Sequence, residues 1–438
     1  MKQGIEACNN RATFSAVVCT AYICVFAMGY HAGATTIVVR PSSRIDALKT
    51  TIENASDGDT IVLNAGVHRS SRVSISKRLC ITGGRNAIVT AEGRGPIFLV
   101  GANGVSMRGF TLRETGNSYI EDRAAIKCLN VSGCRFEDLA IERCSFGVYF
   151  GKSRRGIVRR CLIAGAAVNE SNSGNGIHSW YSDSLLIENN VVMNHRDGIY
   201  LEFTRHTLVR GNTSIGNLRY GLHFMFSDDD VYEQNRFMRN GAGVAVMYTR
   251  RVDMRANEFL DNWGPSSYGL LLKDIYDSNI HDNVFERNTA AIYAEGGARL
   301  TITRNVFQRN GWAVRLMANC TDNVFTANVF ESNTFDVATN STRNNSVFRE
   351  NFWDAYRGYD LNRDGFGDTP FRPVRIFSHI VERNPPAIIL LNSFFISLLD
   401  ITERVFPSVT PATLVDERPL LHPPANMAKT RIAGMEPE

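Results

Sequence analysis

The chain has 438 residues, with 48 lysines and arginines against 44 aspartates and glutamates, a formal net charge of +4, and 44% hydrophobic residues. So mild a positive balance is no electrostatic footprint for nucleic acid. The hydrophobic share excludes wholesale disorder and allows a large core.

In chain order, Lys2 and Arg11 come first, around the start of the apolar run TFSAVVCTAYICVFAMG, which ends near Ala32-Gly33-Ala34. A basic start, a run too short for a comfortable membrane span and a small-residue close are the marks of an export signal. Residues 1–34 read as that segment, cleaved or kept as an anchor. Three of the nine cysteines, Cys8, Cys19 and Cys24, lie in it. The other six, Cys80, Cys128, Cys134, Cys144, Cys161 and Cys320, show no CxxC pair or zinc-ligand spacing and read as packed structural thiols. Residues 35–58, helical in pattern around Ile45 to Asn54, form an N-terminal cap.

From 59 to 352 the sequence repeats. The residue opening each G-I-Y-L-E-like run recurs at Ala125, Gly147, Gly176, Gly198, Gly221, Gly243, Gly269, Ala291, Ala313 and Phe335, mostly 22 or 23 residues apart. The longer steps hold polar inserts near 168–176 and 262–267. Asparagines keep the same beat from Asn190 to Asn351, with a second series from Asn217 to Asn333. Asparagine tolerates a left-handed turn, and stacked asparagines can hydrogen-bond rung to rung. Units of about 22 residues with short strands predict an all-β fold, a right-handed single-stranded parallel β-helix with one coil per repeat.

Successive side chains of a strand point to opposite sides. The first and third residues after each opener, from Ile126/Cys128 to Val314/Leu316 and on to Asp336/Ala338, are almost all apolar and read as inward. The second positions then face out: Lys127, Tyr149, His178, Tyr200, His223, Ala245, Leu271, Tyr293, Arg315 and Val337. So do the fourth: Leu129, Gly151, Trp180, Glu202, Met225, Met247, Lys273, Glu295, Met317 and Thr339. This predicts a surface stripe of aromatic, methionine and histidine side chains, and such stripes mark interaction sites.

Within the stripe Met225 and Met247 are vertical neighbours and His223 lies in reach of both. Thioether and imidazole together suit Cu(I). The alternative is a docking surface built of His178, Trp180, Tyr200, Glu202, Tyr293, Glu295, Arg315 and Met317 together with the methionines. A glycosidase needs paired carboxylates roughly 5–9.5 Å apart. Glu202 and Glu295 stand four coils apart, about 19 Å, and cannot pair. A polysaccharide-binding or polysaccharide-modifying lyase or epimerase stays open as the alternative.

Past Asn351 the repeat ends. In 353–374 the stretch DLNRDGFGD sets Asp360, Asn362, Asp364 and Asp368 around Gly365, the spacing of a calcium loop, although Phe371 occupies the place of the bidentate glutamate. An acidic turn held by its own bonds is the competing reading. In 375–422 the greasy run RNPPAIILLNSFFISLLDITERVF, residues 383–406, wants a partner or caps the open end of the β-helix. Residues 423–438 read as a loose tail.

Several strings, GIHSWYSDSLLIENN, HRDGIYLEF, GLHFMFS, NGAGVAVMY, GYDLNRDGFGD and VERNPPAIILLNSFF among them, resemble the NosD family from about residue 40 to about 422. The resemblance implies a periplasmic β-helix and no enzyme. It implies action with the membrane subunit and ATPase of an ABC transporter and with a copper-carrying lipoprotein chaperone. The role implied is assembly of the copper–sulfide centre of nitrous oxide reductase. On that reading 383–406 meets the membrane subunit, and the column with His223, Met225 and Met247 meets chaperone, reductase or Cu(I).

Overall fold

The computed structural model describes residues 34–42, 44–341, 344–406, 410 and 413–424. The expected export segment 1–34, apart from Ala34, and the expected tail 423–438, apart from its first two residues, lie outside them, as do Cys8, Cys19 and Cys24. The chain winds as a right-handed parallel β-helix whose successive strands fall on three sheets of 14, 13 and 12 strands. In the order each coil visits them, we call the 14-stranded sheet I, the 13-stranded sheet II and the 12-stranded sheet III.

Two columns of buried asparagine run through the corners. Asn212 accepts from the main-chain and side-chain N–H of Asn190 at 2.9 Å, and Asn235, Asn257, Asn283, Asn305, Asn328 and Asn351 continue the ladder. The second ladder climbs from Asn217 through Asn240, Asn262, Asn288 and Asn310 to Asn333. Each amide satisfies corner groups that would otherwise be buried and unpaired, at a cost of about 1–3 kcal/mol per group. The left-handed conformation expected of these asparagines falls instead on the residue before each rung, for example Gln234, Ala256 and Arg304. The backbone must reverse there so that the next side chain can point inward.

Inside, aromatic rings stack coil upon coil, Phe259 on Phe285 at 4.4 Å and Phe330 on Trp353 at 4.1 Å. Each fully buried ring contributes about 1.5–3 kcal/mol. The glycine openers have a close-approach reason. A Cβ on Gly221 would lie 2.7 Å from the carbonyl oxygen of Gly243. Outside, Arg–Asp pairs bridge neighbouring coils, as in Arg251 with Asp229 at 2.6 and 2.8 Å.

The strand register bears out every opener up to Ala313. Val314 then pairs with Val337 and Arg315 with Ala338. The last coil is thus one residue longer than expected. Val337 is fully buried in the core, Asp336 takes the opener's place, and Ala338, not Val337, continues the outward column.

The ends are closed differently. Helix α1 (Ala47–Asn54) buries Leu48 and Ile52 over the first coils. At the other end Asp416 accepts from Asn351 N and Nδ2 at 3.0 and 3.1 Å and from Trp353 Nε1 at 3.0 Å. It stands where the next asparagine would stand. The open edges of sheets I and II are capped by 416–420, which bridge to Phe348 and Phe352, while Phe377, Val381 and Ile396 pack with Phe335 over the last strand of sheet III.

Asn235→Ala is expected to lower unfolding stability by roughly 2–4 kcal/mol, since several ladder partners lose their bonds at once. Arg251→Ala, at a solvent-exposed pair, should cost less than about 1 kcal/mol. Urea denaturation followed by circular dichroism separates the two; equal losses would mean that the ladder is not what holds the coils.

Candidate functional site

The outer face of sheet III is the best-framed surface of the molecule. All three inserts, 117–123, 165–176 and 261–267, leave the coil at the corner where sheet II passes to sheet III. They form one rim and carry the exposed apolar tips Ile120, Val168 and Trp263. The opposite corner carries Tyr181, Phe203, Phe226 and Tyr248, stacked face to face at 4.5–5.0 Å. All four have positive φ, between 48° and 55°. The same position is left-handed in other coils as well, at Asn130, Lys152 and Asp274, so the conformation belongs to the corner, and what sets these four apart is the stack of rings. Sequence reasoning passed over this rim, although an aromatic recurs five residues after the opener in four consecutive coils.

Between the rims the outward columns stand in register. Lys127, Tyr149, His178, Tyr200, His223, Ala245, Leu271, Tyr293 and Arg315 pair coil to coil, as do Trp180, Glu202, Met225, Met247, Lys273 and Glu295. The stripe is less exposed than expected. His223 is 5% exposed, and His178, Tyr200 and Tyr149 are buried as well. The cause is a third outward column, the residue before each opener, which folds over the second: Phe146, Asn175, Asp197, Tyr220 and Tyr268. Phe146 packs edge-on to His178 at 5.6 Å, and Tyr220 lies 4.9 Å from His223. Trp180, Glu202, Met225, Met247, Tyr293, Glu295 and Arg315 are half-buried, and Met317 is buried.

His223 sits in a cage. Tyr200 lies 4.7 Å from its ring, Asp197 Oδ2 is 3.8 Å from its Nδ1, and neither ring nitrogen has a hydrogen-bond partner. Burial alone would raise the Asp197 carboxyl. The close approach of the His223 ring and the two-armed bond from Arg219 outweigh it and hold the group down to about 2. Arg219 Nε donates to its Oδ1 at 2.9 Å. Beside the cage Met225 and Met247 are cross-strand neighbours, and the Tyr200 hydroxyl donates to the Met225 sulfur at 3.6 Å. His178, two coils below, bonds instead to Asn175 at 2.9 Å. Burial, reinforced by Arg196, pushes it down to about 3.

The carboxylates of the face do not form a catalytic pair. Glu202 and Glu295 are separated by four strand pairings, and Lys273 reaches Glu295 at 3.9 Å. The calcium reading receives no support. Asp360 accepts from Asp364 N and Gly365 N, Asn362 from Asp364 N, and Asp368 from Leu361 N. Asp364 is bound to Phe366 N and to Arg418 at 3.0 Å. Among the described residues no group of three or more His, Cys, Asp or Glu converges as a metal site. Cys320 bonds to the Ala294 carbonyl at 3.2 Å and packs into its turn as expected.

The C-terminal extension closes the top of the face. Helix α2 (Ile376–Arg383) lies on the last strand of sheet III, with Phe377 against Phe335 and Glu382 taking both arms of Arg315 at 2.8 and 2.9 Å. Helix α3 (Phe394–Val405) follows, and much of its apolar surface is uncovered: Phe394 is 83% exposed, and Leu398, Ile401 and Val405 are exposed. No described helix is long and apolar enough to cross a membrane.

A family model described as "Periplasmic copper-binding protein (NosD)" matches residues 159–359. Two relatives carry the description "Probable ABC transporter binding protein NosD". The protein from Pseudomonas aeruginosa is 31% identical over 76% of this chain and 81% of its own. The one from Stutzerimonas stutzeri is 28% identical over 78% and 83%. Among solved structures, a family 28 exopolygalacturonase of Yersinia enterocolitica shares the fold with a TM-score of 0.54 at 9% identity, covering 72% of this chain and 78% of its own. The A-module of the mannuronan C-5 epimerase AlgE6 of Azotobacter vinelandii aligns with a TM-score of 0.50 at 13% identity, over 69% and 92%. At such identities the likeness concerns the fold alone.

Burial holds His195 down to about 4 and His178 to about 3. Both should stay neutral from about pH 8 to pH 5 in a histidine NMR titration. The unfolded chain takes up protons at these positions below about pH 6.5 while the folded chain does not, so acidification through that range costs stability. A titration midpoint for His178 above pH 6 would show that the aromatic cover is not in place.

Proposed function

This chain belongs to the NosD family, and on that premise we propose that it is a periplasmic accessory protein that takes Cu(I) as cargo on the outer face of sheet III. The observation that carries this is His223, a buried imidazole whose Nδ1 faces Asp197 at 3.8 Å and whose Nε2 has no hydrogen-bond partner, set beside two thioethers in register with each other. An orphaned ring nitrogen is costly to leave without a partner, and a soft cation is the partner that imidazole and thioether share. The residues present therefore fit the ion.

Each neighbour has a part. Tyr200 and Tyr220 hold the ring, and Asp197 on the Nδ1 side favours a proton there and leaves Nε2 free to bind. The Asp197 charge offsets that of an arriving cation. The Tyr200 hydroxyl can release the Met225 sulfur, and methionine adapts readily to a transient ligand. Thioether ligands bind without proton release, which suits a site that must also let go.

The finer role is assembly of the copper–sulfide centre of nitrous oxide reductase. The partners are the membrane subunit and ATPase of an ABC transporter, a copper-carrying lipoprotein chaperone and the reductase. The uncovered faces of α3 and of the 3₁₀ turn Pro385–Leu390 support a docking role for 375–422. An apolar surface of that kind on an exported protein wants an apolar partner, and the membrane subunit supplies one.

Two measurements test this. Anaerobic Cu(I) titration against a competing chelator should give one tight equivalent that is lost in His223→Ala/Met225→Ala/Met247→Ala; equal affinity in both proteins moves the cargo elsewhere. Phe394→Asp/Leu398→Asp should abolish co-purification with the transporter subunits while leaving Cu(I) binding intact, and undiminished co-purification would reject α3 as the docking element.

A further inference from the structure

Where the solenoid ends, the segments 355–359 and 369–375 and helix α3 line a cavity of about 620 Å³. That is the size of a small-molecule site. Tyr356 and Phe371 form an apolar wall, edge to face at 5.9 Å, and both pack on the core cluster. The Tyr356 hydroxyl donates to the Thr369 carbonyl at 2.7 Å.

Charges of both signs line the same cavity, and they come from different segments. Asp400 and Glu403 belong to α3. Asp400 has a partner in Arg375, at 3.8 Å. Glu403 is 9% exposed, and its Oε1 accepts from Ile376 N at 2.7 Å at the start of α2. Its Oε2 is buried and has no hydrogen-bond partner among the described residues. A buried carboxylate oxygen left so is costly, and an N–H donor in the cavity relieves that cost. The loop segments supply guanidinium groups. Arg357 Nη1 donates to the carbonyls of Asp354 and Tyr356 at 2.6 and 2.8 Å, and Arg372 Nη1 to that of Thr410 at 2.8 Å. Carbonyls orient a guanidinium without cancelling its charge.

A ligand that satisfies both ends carries a primary ammonium for Glu403 and an anionic group for the arginines. The surroundings of the cavity are apolar. The end of α3, which bears Asp400 and Glu403, also bears Ile401, Val405 and Phe406, all exposed. Tyr359 is exposed at the cavity wall, and Leu361 is exposed two residues on. Apolar side chains around a charged cavity suit a ligand with a charged head and apolar tails. We propose that this cavity takes the phosphoethanolamine head of a bilayer phospholipid, with its ammonium on Glu403 Oε2 and its phosphate on Arg357 and Arg372. The acyl chains stay in the bilayer against Ile401, Val405 and Phe406. This inference does not rest on the copper reading, and it uses the far end of α3 from Phe394 and Leu398.

The full-length protein is floated with vesicles of phosphatidylcholine, with and without added phosphatidylethanolamine. Both lipids are neutral and carry the phosphate, but only the ethanolamine head has an N–H for Glu403. Any contribution of residues 1–34 is common to the two. Vesicles with ethanolamine heads should bind about tenfold more tightly, the worth of one hydrogen bond to a charged group. Glu403→Gln should abolish that preference. Arg357→Ala, at an exposed side chain, should weaken binding to the ethanolamine vesicles and keeps the test open if Glu403→Gln fails to fold. Equal binding to the two vesicles, or a preference that survives in both variants, overturns the proposal. Calorimetric binding of soluble glycerophosphoethanolamine without a vesicle preference overturns the lipid as its source.

Discussion

The amide of a buried asparagine, bonded to the asparagine of the next coil, is the interaction on which this molecule rests. A solenoid must turn a corner three times per coil, and each corner takes backbone polar groups out of water. In this chain Asn235, Asn257 and their stacked neighbours supply both donor and acceptor at two of the corners, at 2.9–3.0 Å from rung to rung in the first ladder. Because every rung bonds the next, the ladders tie the coils together from Asn190 to Asn351, through the part of the solenoid that carries His223. The last asparagine still needs a partner. Asp416 fulfils that need from 65 residues further along the chain.

Fixed register makes the outer face of sheet III possible. Side chains 22 or 23 residues apart become direct neighbours, so Met225 meets Met247 and Tyr200 meets His223 without any local sequence bringing them together. Rigid stacking also sustains strain. Four aromatic residues hold positive φ in consecutive coils, a cost of order 1–3 kcal/mol each that an isolated hairpin would relieve by shifting. Here the coils above and below leave no room to shift. The same rigidity keeps His223 buried between its aromatic neighbours.

Charge on this face is paired almost wherever it occurs. Asp197 is held by Arg219, Lys273 by Glu295, and Arg315 by Glu382. Glu202 and Glu295, four strand pairings apart, stand too far from each other to work as a pair. The fold shared with an exopolygalacturonase and a mannuronan C-5 epimerase is a likeness of architecture alone. The soft, uncharged donors are what the charges surround.

Much of this was legible in the sequence, because a β-helix writes its periodicity into the chain. The 22-residue beat, the asparagine columns and the alternation of apolar residues determined the fold, the inward face and the coil-to-coil neighbours, including the His223, Met225 and Met247 set. The single misplaced register, at Phe335, came where the motif weakens and one extra residue enters the coil. Only the tertiary structure decided how exposed that set is, since burial of His223 depends on Tyr220 and Asp197 folding over it from a column that alternation marks merely as outward. It also decided that Asp416 ends the asparagine ladder while Ile396 of the greasy run packs with Phe335 at the edge of sheet III, and that the acidic loop spends most of its oxygens on its own backbone. Periodicity fixes which side chains are neighbours along the stack; only folding in three dimensions sets what covers them.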